Sequence, residues 1–161
     1  MHNKSPKDVF HFLTKDLVFE FDKKHLKETF NDQKILENSY ENFEVLILED
    51  DSDMSIVLQN IFLKRSVQSL VVKDVDLAIH LLKIKKPHLI TLDLKLEGDS
   101  GVKIFNYLET LKVNERPWIA IVSAAKKSEI DFALDEGGDY YFSKPINHES
   151  FDKFLNKIFK V

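Results

Sequence analysis

Acidic, hydroxyl and basic residues stand just after short apolar runs at four places in this chain. Glu49, Asp50 and Asp51 follow "VLIL", Asp93 follows "LITL", Ser123 follows "IAIV", and Lys144 follows "YYFS" and precedes Pro145. A carboxylate at the end of a buried run is costly to desolvate unless something pairs with it. If the runs are parallel strands ending on one edge, three or four carboxylates crowd one pocket. Their repulsion raises their pKa values unless a cation offsets it. No histidine or cysteine stands with them, so the donors are hard oxygens, a set that selects Mg²⁺ or a similar cation over zinc. Lys144 adds a movable positive charge and Ser123 a hydroxyl. Such a group suits an incoming phosphoryl group, with Asp93 as the nucleophile forming an acyl phosphate. The cation and the lysine would neutralise the transferred oxygens. Taken singly, each residue has an ordinary reading: Asp50 or Asp51 as a helix cap, Lys-Pro as a turn, the serine as a strand end. The joint pattern, each at its own strand end and in this order, carries the functional reading.

The elements needed to position these residues are legible from Glu44 onward. Strand-like runs "EVLILE", "QSLVVK", "HLITLD", "PWIAIVS" and "DYYFSK" alternate with helical patterns. The first helix, over 53–65, carries Met54, Val57, Leu58, Ile61 and Phe62 at helical spacing, with Ser52 as N-cap. Asp74 caps the second helix, which stops before Pro87. Val102, Phe105, Leu108 and Leu111 mark the third, over 101–112. Gly137 and Gly138 close the fourth, and Phe151, Phe154, Leu155, Ile158 and Phe159 line the fifth. Near-continuous apolar strands alternating with helices imply a parallel sheet covered on both faces, with right-handed crossovers. Ligands then gather outside the carboxyl ends of the strands.

Composition sets the outer bounds. The 161 residues suit one domain with an appendage. Hydrophobic residues are 43% and charged residues 31%, and the net charge of −4 gives no reason to expect nucleic acid or an anionic membrane as partner. With no cysteine there is no disulfide framework and no thiolate metal site. No run approaches the roughly 20 apolar residues of a membrane span. The N-terminus lacks a secretory pattern, so a cytoplasmic location is expected.

Residues 44–161 resemble the receiver domain of two-component response regulators. "LILEDDSDM" is similar to the family's acidic pair, with Glu49 and Asp50 in the pair positions. "LITLDLKLEGDSG" resembles its phosphoacceptor strand and following loop, "IAIVSA" its fourth strand ending in Ser or Thr, and "YYFSKPI" its lysine and proline. The resemblance implies a flavodoxin-like, doubly wound α/β fold, (βα)5. Asp93 would be phosphorylated by a histidine kinase or a phosphotransfer protein. Mg²⁺ would be held by Asp50, Asp93 and the backbone carbonyl of Lys95, with Glu49 acting through water. The resemblance further implies a cis Lys144–Pro145 bond, self-phosphorylation and self-dephosphorylation as the only chemistry, and a switch in which Ser123 moves toward the phosphoryl group and Tyr141 changes rotamer. The departure is Glu97, where the family usually has proline. Lys95 and Ala125 stand at two variable positions that in this family influence acyl-phosphate lifetime.

The chain ends at Val161, after the fifth helix, so the expectation is a switch acting on an unknown downstream protein, without a DNA-binding or catalytic output module. A receiver-like interaction module not controlled by phosphorylation is the alternative. A Mg²⁺-dependent phosphatase ranks lower, because it would want an aspartate at position 95, and no phosphate loop supports a flavin site. Residues 1–43 lie outside the resemblance. "SPKD" reads as a helix start, and Phe10, Leu13, Leu17 and Phe21 recur at helical spacing, although "LVFEF" also alternates as a strand would. Six of the thirteen phenylalanines fall there, too many for a disordered tail. The expectation is an ordered, mainly helical extension that either packs on the receiver or forms a dimer or partner interface.

Overall fold

The computed structural model describes residues 9–14, 17–22 and 44–159, the side chains only of 44–159. Five strands, β3 (Val45–Leu48), β4 (Ser69–Val72), β5 (Leu89–Leu92), β8 (Trp118–Ser123) and β9 (Tyr140–Ser143), form one sheet in the order β4-β3-β5-β8-β9. Every neighbouring pair in it is parallel. Five helices cross between and after these strands: α1 (Ser52–Leu63), α2 (Val75–Ile84), α3 (Lys103–Leu108), α4 (Lys127–Asp135) and α5 (His148–Phe159). The strand order reverses at β3 and β5. In doubly wound sheets that crevice is where ligands bind, and Glu49, Asp50 and Asp93 are the residues that follow these two strands.

Strand periodicity decides which helix covers which face. Leu46, Leu48, Ile90, Leu92, Ile119 and Ile121 point to one side, where Val75, Leu81, Ile104, Phe105, Leu108, Ile130 and Ala133 of α2, α3 and α4 bury them. Val45, Ile47, Val71, Ala120 and Val122 point to the other, against Leu58, Ile61 and Phe62 of α1 and Phe151, Phe154 and Leu155 of α5. On that side the aromatics of α5 meet those of β9. The rings of Phe142 and Phe151 lie edge to face at 4.8 Å, and those of Tyr140 and Phe154 are 4.5 Å apart.

Three expectations are corrected. Asp51, not Ser52, caps α1, its carboxylate accepting from the Met54 N–H at 2.9 Å. Helix α3 is six residues long rather than spanning 101–112. Beyond it, the chain tightens into a 3-10 turn over Val113–Glu115. There the Arg116 guanidinium takes up the freed carbonyls of Glu109 and Leu111, each at 3.3 Å.

The third correction concerns the N-terminal extension. Where it is described it is not helical: β1 (Val9–Thr14) and β2 (Leu17–Asp22) pair antiparallel as a hairpin, with Phe10 opposite Phe21 and Phe12 opposite Phe19. The hairpin lies beside β4, the edge strand of the main sheet. The alternation of Phe10 with Phe12, and of Leu17, Phe19 and Phe21, prevails over the helical spacing, because aromatic residues favour cross-strand pairs. The helix start at Ser5 and the segment after Asp22 lie outside the described residues.

Candidate functional site

Asp93 sits at the centre of the crevice, 5% exposed. Its Oδ2 accepts from Lys144 Nζ at 2.6 Å. Its Oδ1 accepts from Ser123 Oγ at 2.7 Å and from the Lys95 backbone N–H at 3.0 Å. The desolvation cost of placing a carboxylate after "LITL" is thus offset by one ammonium and two hydrogen bonds. Lys144 reaches Asp93 from the end of β9, and the bond between it and Pro145 is cis, as the resemblance implies.

Glu49 is almost wholly buried, and Lys144 Nζ lies 2.7 Å from its Oε2. That approach falls outside hydrogen-bonding directions, so Oε2 is a buried acceptor with no hydrogen-bond partner. Oε1 accepts from the Asp51 N–H at 3.1 Å. Burial pushes the Glu49 carboxyl up to about 7, against the lowering pull of Lys144 and with a further push from the charge of Asp93. Burial works against the Lys144 ammonium, but the hydrogen bond to Asp93 and the charges of Glu49 and Asp93 together outweigh it and raise its pKa.

Asp50 is partly exposed, and its Oδ2 accepts from the Glu97 backbone N–H at 2.6 Å. Carboxylate oxygens of Glu49, Asp50 and Asp93 all lie within 4.8 Å of one another. Three converging carboxylates, one with a buried oxygen lacking a hydrogen bond, form an all-oxygen donor set of the kind Mg²⁺ takes. Asp51 points away and caps α1, where the Met54 N–H lowers its pKa.

Ser123 is fully buried, its Oγ also accepting from the Ala125 N–H at 3.2 Å. The Tyr141 hydroxyl donates to the Ser123 carbonyl at 3.3 Å. Its ring packs on the α2–α4 side of the sheet, opposite to Tyr140 and Phe142. Of the residues singled out in the sequence, Glu49, Asp50, Asp93, Ser123 and Lys144 are brought together, with Tyr141 joined through Ser123, while Asp51 is not. Lys95 takes part through its N–H.

The loop after Asp93 adds contributors that strand-end reasoning missed. Lys95–Leu96 (β6) and Asp99–Ser100 (β7) form a miniature hairpin around Glu97 and Gly98. Gly98 has φ +76°, the region that favours glycine. The N–H groups of Lys95 and Glu97, two residues apart, grip Asp93 and Asp50. Lys95 Nζ also stands 3.6 Å from Glu129 of α4. At Gly101 a Cβ would lie 2.0 Å from the Asp93 carbonyl oxygen, so only glycine lets α3 start this close behind the site. The "EGDSG" stretch held the turn signal, but no pattern in it announces which carboxylates its amides reach.

A parallel five-stranded sheet in this order, with an acidic pocket at its switch point, defines a receiver-type α/β domain. The response regulator receiver domain family matches residues 45–156, and the chain belongs to that family, the receivers of two-component response regulators. The transcriptional regulatory protein YxdJ of Bacillus subtilis is 29% identical over 116 residues, covering 71% of this chain; the chain spans about half, 48%, of that relative's length. Among solved structures, a two-component response regulator from Clostridium difficile superimposes with a TM-score of 0.65 at 21% identity, over 74% of this chain and 97% of that one. The receiver domain of the sensor histidine kinase PA1611 from Pseudomonas aeruginosa, which holds a magnesium ion in its active-site cleft, superimposes with a TM-score of 0.64 at 18% identity, over 74% and 99%. No helix among the described residues is long and apolar enough to cross a membrane.

Proposed function

We propose that this receiver is a switch in which Asp93 accepts a phosphoryl group from a histidine kinase or a phosphotransfer protein. The observation that carries the reading is the two-sided hold on Asp93, with Lys144 Nζ on Oδ2 and Ser123 Oγ on Oδ1. A carboxylate oxygen of Asp93 attacks phosphorus while the bond from phosphorus to the donor's imidazole nitrogen breaks, its electron pair leaving with the imidazole. The carboxylate charge of Asp93 is lost as the acyl phosphate forms, and about two negative charges now stand on the phosphoryl oxygens. Lys144 and Ser123 follow the charge from the carboxylate to those oxygens. Glu49, Asp50 and Asp93, with the Lys95 carbonyl, would hold Mg²⁺, which when bound supplies positive charge against the transferred oxygens.

Movement of Ser123 toward the phosphoryl group disturbs the carbonyl on which the Tyr141 hydroxyl rests. Tyr141 then changes rotamer and alters the surface made by α4, β9 and α5. The chemistry is self-phosphorylation and self-dephosphorylation, and the output is contact with a downstream protein in the cytoplasm. With Mg²⁺ and a small phosphodonor, the wild-type protein gains the mass of one phosphoryl group and Asp93→Asn gains none. Equal labelling of the two proteins would remove Asp93 from the mechanism.

A further inference from the structure

We infer that the backbone amide of Glu97 is a positioning group for the cation, acting through Asp50; the inference rests on the reading of Asp50 as a Mg²⁺ ligand. Of the three converging carboxylates, Asp50 is the most exposed and the one that Lys144 does not touch. Its side chain is held instead by the Glu97 N–H, 2.6 Å from Oδ2.

The hold exists because of how the loop is built. Lys95 opens β6 and Glu97 is the first turn residue after it. Lys95 N–H reaches Asp93 Oδ1 and Glu97 N–H reaches Asp50 Oδ2, from one short stretch of backbone. The turn at Gly98, with φ +76°, and the pairing of Lys95 with Ser100 and Leu96 with Asp99 fix that stretch in place. Two of the three carboxylates are thereby set at a fixed separation by a single rigid piece of backbone. A proline at position 97 has no N–H and could hold only one of them. A charge-assisted hydrogen bond that fixes a ligand's rotamer reduces the ordering left to be done when the metal arrives. Residue 97 thus tunes cation affinity through its main chain, whatever its side chain does.

The test compares wild type with Glu97→Ala, which keeps the amide and removes the carboxylate, and Glu97→Pro, which removes the amide. Proline is accepted before a glycine of positive φ in a tight turn, and thermal unfolding reports whether the variant is folded. Mg²⁺ titration by calorimetry should give similar affinities for wild type and Glu97→Ala, and an affinity about tenfold weaker for Glu97→Pro, the size of one charge-assisted hydrogen bond. Equal affinity in wild type and Glu97→Pro, or the same loss in Glu97→Ala as in Glu97→Pro, would overturn the inference. Nuclear magnetic resonance of the wild-type protein supplies a reading that needs no variant. The Glu97 amide proton should stay downfield and protected from exchange from zero to saturating Mg²⁺; loss of that protection on saturation would mean that the metal displaces the amide, which contradicts positioning. A wild-type protein that binds no Mg²⁺ would end the cation reading of Asp50 and this inference with it, whereas normal wild-type binding with an unaffected Glu97→Pro would end the inference alone.

Discussion

Asp50 and Asp51 are neighbours of one chemical type with separate work. Asp50 faces Glu49 and Asp93, while Asp51 turns outward to cap α1. Replacing Asp50 with Ala should weaken Mg²⁺ binding severely. Asp51→Ala should leave binding nearly unchanged and cost about 1 kcal/mol of stability, the value of an N-cap; calorimetry and denaturant titration read the two effects. Glu49 gives a pH signature. Burial raises its pKa from the ordinary 4.5 to about 7, so the folded protein holds this proton more tightly than the unfolded chain. Its contribution to stability is fully present below about pH 4.5 and is lost as pH rises through about 7. In metal-free buffer the unfolding midpoint of Glu49→Gln, measured against wild type, should lack this fall between about pH 5 and 7. Mg²⁺ affinity of the wild type should rise over the upper part of the same window, because a protonated Glu49 is a poorer partner for a cation.

Among the elements, the hairpin β6–β7 and the start of α3 confine the site most tightly. Gly101→Ala would drive a Cβ into the Asp93 carbonyl, where backbone has to shift. We expect a loss of about 1–3 kcal/mol, typical of overpacking, together with slower phosphoryl acceptance, because the displaced atom belongs to Asp93 itself. Thermal unfolding and a labelling time course check this. The contrast between the strands and this loop explains what could be read from the sequence. Apolar runs such as Val45–Leu48 and Leu89–Leu92 are buried on both faces, so burial writes them into the composition, and the residue after each run was identifiable as a site residue. The amide of Glu97 has no side-chain signature, and its bond to Asp50 spans 47 positions in sequence. The spacing predicts a longer α3 because Leu111 continues the apolar pattern and still packs on the core after the helix has ended. The N-terminal hairpin was masked by aromatic residues whose spacing suited both periods.

Across the receiver, among the residues whose side chains are described, two clusters of buried side chains hold the sheet between its helices. Both faces of the sheet are covered by α1 to α5, so a chain shortened to begin at Asn42 should keep a cooperative unfolding transition and accept phosphoryl groups as the full chain does; loss of either would show that the extension completes the receiver. Phe151 is fully buried and touches Phe62, Phe142 and Phe154. Phe151→Ala should cost about 3–5 kcal/mol, read by denaturant titration, by loosening α5 from both β9 and α1.

Phosphoryl transfer to the Asp93 carboxylate, the step that drives the proposed switch, has a direct chemical readout. Borohydride reduces an aspartyl phosphate to homoserine. After incubation with Mg²⁺ and a small phosphodonor, followed by reduction and digestion, the peptide containing residues 89–101 should carry homoserine at position 93. Homoserine at position 50 or 51 instead, or a stable phosphoryl group on a histidine or serine with Asp93 unmodified, would contradict the account.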